Sequence, residues 1–173
     1  GMVFVAFLAA FGGGTLRDIL LDRRPFFWVE NQIWVWVIIA ICILALVFMR
    51  SRHVEVTARA TQWPDAVGLG LFAAGGTELA LSIGVAPIIA VSMGVITAVF
   101  GGVLRDVMVN EIPRAFSDFQ PYSVIAFFGG WIVVVLQLLQ VESTLRVMVA
   151  AMLIIGFRMA AMVFNWRLPN WRP

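Results

Sequence analysis

The chain has 173 residues, of which 62% are hydrophobic and 13% charged, with a mean hydropathy of +0.97. A soluble domain is about 45–50% apolar and about 25% charged, so this chain has too little polar surface to cover a core in water. Twelve basic residues, all arginine, stand against ten acidic ones, a net charge of +2. That balance gives no footprint for nucleic acid. Cys42 and His53 are each single in the sequence, which excludes an intrachain disulfide and leaves no ligand set for zinc.

A hydrocarbon core of about 30 Å takes about 20 apolar residues in a helix. Six segments fit, at 2–16, 33–49, 65–83, 87–104, 121–139 and 144–165. They lack strand-like alternation, so helices are expected. In chain order, the first segment carries Gly12-Gly13-Gly14 and then Thr15, Arg17 and Asp18. The second follows a Trp-rich stretch and leads into a polar linker at 50–64. Pro64-Asp65 opens the third, with Asp65 expected as its N-cap. That segment also holds Gly75-Gly76-Thr77 and Glu78. Gly84 to Pro87 reads as a tight turn with proline at the start of the fourth helix. The fourth carries Ser92, Thr97, Gly101, Gly102, Arg105 and Asp106; the fifth carries Gly129-Gly130; the last contains Arg158. Trp28, Trp34, Trp63, Trp131, Trp166 and Trp171 fall near span ends, as in interfacial aromatic belts.

The chain repeats itself. Residues 13–25 read GGTLRDILLDRRP and residues 101–113 read GGVLRDVMVNEIP. At an offset of 88, six of the thirteen positions are identical and four more are conservative, including Asp22/Asn110. The same offset aligns the following span, near Ile33, with the one near Pro121. In the second copy another span precedes the motif helix, so the repeat predicts a counterpart before residue 1. The expected organisation is a first repeat at 1–49 without its first helix, a linker at 50–64, a second repeat at 65–139, and a final helix with its tail at 140–173. Three spans per repeat reverse the direction of successive copies, which defines an inverted repeat. The fold class is therefore an all-α polytopic membrane protein, with two inverted three-helix repeats plus a final helix.

Runs of glycine weaken a helix by roughly 1 kcal/mol per residue relative to alanine. Gly12-Gly13-Gly14 and Gly101-Gly102 are expected to bend or unwind their helices and to expose backbone groups to a permeant solute. Close packing through small residues is the competing reading. Ionisable residues cost about 2.5–3.5 kcal/mol each at mid-bilayer, so the Arg-Asp couples are expected to face protein or water. Neighbouring helical residues point about 100° apart, which suggests cross-repeat pairs, Arg17 with Asp106 and Arg105 with Asp18. Glu78 and Arg158 read as pore charges, gates or structural ion pairs. Thr15, Thr77, Ser82, Ser92 and Thr97 are candidate wet-path hydroxyls, against the alternative that they bond back to their own helices. Seven arginines flank the spans on one side and four on the other, favouring a cytoplasmic C-terminus.

The doubled GG-x-L-R-D with its downstream proline resembles the prokaryotic relatives of the trimeric intracellular cation (TRIC) channels, a sequence family also described as a glycine-transporter domain or UPF0126. The resemblance implies seven helices in the intact subunit, a homotrimer in the prokaryotic inner membrane, and one hydrophilic pore per subunit for K⁺ and Na⁺. By position it places Gly12, Gly13, Gly14, Arg17, Asp18, Gly101, Gly102, Arg105 and Asp106 at that pore. It implies no cofactor and no resident metal, only transient K⁺ or Na⁺ near the glycines, and membrane lipid as surroundings. The residues alone leave open a secondary transporter of a small zwitterion such as glycine. No set of catalytic side chains supports an enzyme.

Overall fold

The structure, a computed structural model, describes residues 1–51, 58–117 and 121–166. Among these residues every regular element is helical. The long helices are α1 (Met2–Leu20), α3 (Ile33–Ser51), α4 (Ala58–Ser82), α5 (Pro87–Met108), α7 (Tyr122–Leu138) and α8 (Ser143–Val163); α2 (Phe27–Glu30) and α6 (Arg114–Ser117) are single turns. On length and composition, α1, α5 and α8 suffice to cross a membrane, and Ile33–Val47 and Tyr122–Leu138 are shorter apolar helices.

α4 is the central element, packed along α5 and against α7 and α8. That position explains how it accommodates Asp65 and Glu78: much of its surface meets protein. The core is built from Leu69, Ala73 and Ala74 of α4, Ala90 and Val91 of α5, Ala126 and Val133 of α7, and Ala150, Ala151 and Ile154 of α8. In lipid no hydrophobic force drives helices together, so close approach through small residues supplies the packing energy. Gly70 lies against the Ala151 carbonyl, and Gly129 against the Ile154 side chain. Gly129-Gly130 is thereby used within the chain. Outward faces carry large apolar side chains such as Phe128, Leu138, Met152 and Phe157. α3 rests on α1, and Trp36, Ile43, Leu44 and Val47 stand exposed along it.

The third span begins earlier than expected. α4 starts at Ala58 and runs through Pro64, so Asp65 lies inside a helix and is not its N-cap. Pro64 lies past the first turn of α4, where its ring removes the bond to the Ala60 carbonyl and crowds that carbonyl. Of the 50–64 linker, residues 52–57 lie outside the described residues; the rest is helical. The Gly84–Pro87 turn forms as expected, with Gly84 at φ +86° and Pro87 opening α5.

The repeat is structural as well as sequential. The 88-residue offset maps the last residue of α1, Leu20, onto the last of α5, Met108. Both helices end alike. Asp22 and Asn110 take left-handed φ of 49° and 59°. Arg23 N–H donates to the Asp18 carbonyl at 2.8 Å, and Glu111 N–H to the Asp106 carbonyl at 2.9 Å. This six-residue closure is the Schellman motif, and Asp and Asn are among the residues that tolerate its left-handed position. A single helical turn, α2 or α6, then precedes the next span in each copy.

Candidate functional site

α1 and α5 cross at their glycines. A Cβ on Gly13 would run into the Thr97 carbonyl oxygen, and one on Gly101 into the Ala9 carbonyl oxygen; one on Gly12 would meet Leu104 Cδ1 at 2.6 Å. The offset of 88 pairs Gly13 with Gly101 and Ala9 with Thr97. The contacts are therefore reciprocal, the signature of a two-fold relation between the copies. Neither glycine segment unwinds: α1 and α5 are helical without interruption through Gly12-Gly13-Gly14 and Gly101-Gly102. The expectation of opened helices is corrected here. Missing side chains let two backbones touch, and in lipid every backbone group unwound away from a partner or water would cost several kcal/mol.

The Arg-Asp couples sit just past the crossing, and each closes on itself. Arg17 donates from Nε and Nη2 to Asp18 Oδ1 at 2.9 and 2.7 Å, and both residues are buried. Arg105 Nε donates to Asp106 Oδ1 at 2.8 Å. The expected cross-repeat pairs are thus replaced by pairs within each motif. An arginine side chain is long enough to wrap around the helix to its neighbour, and local neutralisation avoids the cost of an isolated buried charge.

In the first repeat, Asp18 Oδ2 also accepts from the Phe27 backbone N–H at 3.3 Å, fixing the start of α2. Arg23 Nη1 lies 3.9 Å from Asp18, and its Nη2 lies 3.6 Å from Glu30. Trp28 Nε1 donates to Thr15 Oγ1 at 3.1 Å, with its ring edge-on to Phe7. A cavity of about 580 Å³ lies between α1, α3 and α4. Gly14, Thr15, Arg17, Gly75, Gly76 and Thr97 reach it, but most of its wall is apolar, including Phe11, Trp34, Ile38 and Phe72.

The second repeat is more polar. Arg105 Nη1 stands 3.9 Å from Asp65 Oδ1 of α4. The Tyr122 hydroxyl of α7 hydrogen-bonds Asp65. Arg158 of α8, 4% exposed, lies over the Tyr122 ring at 5.1 Å. These groups, with Gly102 and Asp106, enclose a cavity of about 20 Å³. Four long helices and the single turn α6 converge on it.

Glu78 and Arg146 form an ion pair tying the end of α4 to the start of α8. Arg146 Nε donates to Glu78 Oε2 at 3.1 Å, and Ser143 Oγ donates to Oε1 at 2.7 Å. Of the readings open for Glu78, the structural ion pair is the one observed. Thr97 Oγ1 donates to the Met93 carbonyl at 2.6 Å, Ser92 to Ile88 and Ser82 to Leu79. These three hydroxyls bond back to their own helices. Thr77 is fully buried against Gly94 and Gly130. Trp28 and Trp131 turn inward, whereas Trp34, Trp63 and Trp166 are exposed as interfacial residues would be; Trp171 lies outside the described residues. Sequence reasoning gave Asp65 a capping role and overlooked Tyr122, whose signal was its place as the chain's one tyrosine.

The glycine transporter family model matches residues 1–50 and 62–138, and the chain belongs to that family, UPF0126. A UPF0126 membrane protein of Vibrio cholerae is 36% identical over 134 residues, covering 75% of this chain and 54% of the relative. The inner membrane protein YadS of Escherichia coli K12 is 37% identical over 134 residues, covering 75% and 62%. The chain thus spans little more than half the length of these relatives. Among solved structures, a TRIC trimeric intracellular cation channel orthologue from Rhodobacter sphaeroides superposes with a TM-score of 0.82 at 31% identity, covering 95% of this chain and 93% of that one. A second TRIC cation channel gives 0.84 at 30%, covering 96% and 81%. Fold and family define an all-helical, multi-pass bacterial membrane protein.

Proposed function

We propose that the chain forms the body of a channel for monovalent cations, K⁺ and Na⁺, with the ion pathway beside the crossing of the two repeats. The observation that carries this reading is the pair of glycine motifs in reciprocal contact, each followed by an Arg-Asp couple paired within itself around a buried aspartate. The likeness to two TRIC cation channels over more than nine-tenths of the chain supports it.

Arginines beside a cation path would repel the ion if they were bare. Here each motif arginine holds its own aspartate, at 2.7 Å for Arg17 and 2.8 Å for Arg105, so the repulsive field is cancelled at source. Gly12, Gly13 and Gly101 let the helices approach. Gly14, Thr15, Arg17 and Thr97 face the larger cavity; Gly102, Arg105, Asp106 and Arg158 face the smaller one. With the helices closed, dehydration at the pathway is offset by carboxylates, hydroxyls and water rather than by carbonyls freed from a break. Glu78 holds α4 to α8 and supports the path from outside it. A homotrimer in the inner membrane with a cytoplasmic C-terminus completes the proposal.

The family's name keeps a second reading in view, a carrier for glycine. Proteoliposomes separate the two. The channel reading expects rapid collapse of an imposed K⁺ gradient with no saturable accumulation of labelled glycine. Saturable glycine uptake without K⁺ leak would replace it with the carrier.

A further inference from the structure

We infer that Asp65, which lies outside the repeated motif, sets cation preference at the second-repeat end of the pathway, and that the Arg158 guanidinium is a tethered cation competing with the ion for it. The inference rests on the channel reading and adds to it a residue that lies outside both copies of the motif.

Each motif aspartate is held directly by its neighbouring arginine, whereas Asp65 is held by the Tyr122 hydroxyl and only loosely by Arg105. Asp65 is different. Its oxygen stands 3.9 Å from Arg105 Nη1, beyond hydrogen-bond length, while Arg105 Nε is committed to Asp106 at 2.8 Å. Its side chain is 25% exposed, against 5% for Asp106. It faces Gly102, on which a Cβ would lie 4.0 Å from Asp65 Oδ1. The absence of that side chain preserves the cavity, whose volume of about 20 Å³ holds one water-sized particle. A partly dehydrated monovalent cation is of that size; a fully hydrated one is not.

Arg158 reaches the same cavity from α8, with its guanidinium over the Tyr122 ring. A guanidinium is always charged, so it presents a fixed positive group to the space an ion would enter. The copies differ at the aromatic ring beneath it. The offset of 88 places Trp34 where the second copy has Tyr122, and Trp34 lines the apolar cavity instead. The discriminating chemistry therefore belongs to the second-repeat end.

The test is planar-bilayer recording of the full chain and two variants in a KCl gradient. Asp65→Asn is expected to lower unitary K⁺ conductance near 0.1 M KCl by roughly threefold or more and to move the reversal potential toward zero, with a smaller effect near 1 M salt as screening grows. Arg158→Gln is expected to raise K⁺ conductance. Asp22→Asn, which removes an acid distant from the cavity in sequence and installs the second repeat's own residue, is expected to match wild type. A conducting Asp65→Asn with wild-type conductance and reversal potential would overturn the inference while leaving the channel reading intact; the cavity would then hold water only. If Asp65→Asn does not assemble, Arg158→Gln decides, since unchanged or reduced conductance contradicts competition. A silent wild type would sink the channel reading itself.

Discussion

Single methyl groups are the sharpest probes of the crossing. Gly13→Ala and Gly101→Ala each place a Cβ against a backbone carbonyl of the other helix, under 3.0 Å away. Backbone cannot swing aside as a side chain can, so each should destabilise by about 1–3 kcal/mol, read as a lowered thermal unfolding midpoint in detergent. Gly156→Ala meets nothing within 4 Å and should be neutral or stabilising by up to about 1 kcal/mol. Equal responses at all three sites would mean that the crossing is not tight. Of the motif glycines the sequence singled out, Gly12, Gly13 and Gly101 sit in the crossing while Gly14 and Gly102 meet no backbone there, and the close-packed Gly70 and Gly94 were not singled out. Helix propensity argued for opening at Gly12-Gly13-Gly14, but propensity cannot register the partner backbone that rewards a closed helix. For the same reason Arg17 and Arg105 were assigned to the wrong aspartates: the 100° rule places the Cβ atoms and says little about where a long guanidinium side chain ends.

At the scale of elements, the junction of α4 with α8 combines an ion pair and a cap. Glu78 and Arg146 are 13% and 14% exposed at the side chain. Removing either partner, by Glu78→Gln or Arg146→Gln, strands the other half-desolvated and should cost roughly 2 kcal/mol. The double variant should cost less than the sum of the two single changes; strict additivity in denaturation midpoints would show that the pair contributes nothing. Next to it, Glu142 caps α8, accepting from the Thr144 and Leu145 backbone N–H groups at 3.1 and 3.3 Å. Hydrogen bonding from Thr144 holds its carboxyl below the ordinary 4.5. A depressed folded-state value means that the cap's contribution is present above the unfolded value and is lost as pH falls through the folded one. Glu142→Gln should therefore lose stability at neutral pH and converge on wild type as pH falls through the folded value, flattening the profile between them; a variant as stable as wild type at neutral pH would remove the cap from the account. Sequence reading allowed Glu78 a structural ion pair but not its partner, and it missed the local Glu142 cap. Glu78 and Arg146 lie far apart in the chain, and only tertiary packing joins them. Asp65 failed the other way, since a preceding proline usually marks a helix start and here lies within a longer helix.

Across the whole molecule, the 88-residue offset was the strongest signal, and it carried the most structure. It recovers the ends of α1 and α5, the left-handed pair Asp22 and Asn110, the two short connecting turns and the reciprocal contacts of Gly13 and Gly101. A repeated sequence reports symmetry wherever both copies do the same work. It is mute where they differ, which is why the four-helix cluster of Asp65, Arg105, Tyr122 and Arg158 needed coordinates to be seen. Among the described residues the asymmetry shows as an apolar cavity on one side of the crossing and a more polar one on the other. An inverted repeat in lipid, with buried charge at its meeting point, is the architecture from which a transport path is built. The measurement that bears on this most directly is single-channel recording of the wild-type chain in a planar bilayer under a KCl gradient. The account predicts discrete unitary steps that reverse on the cation-selective side of zero. A silent bilayer from protein that is folded and inserted, or steps that reverse at the chloride potential, would contradict it.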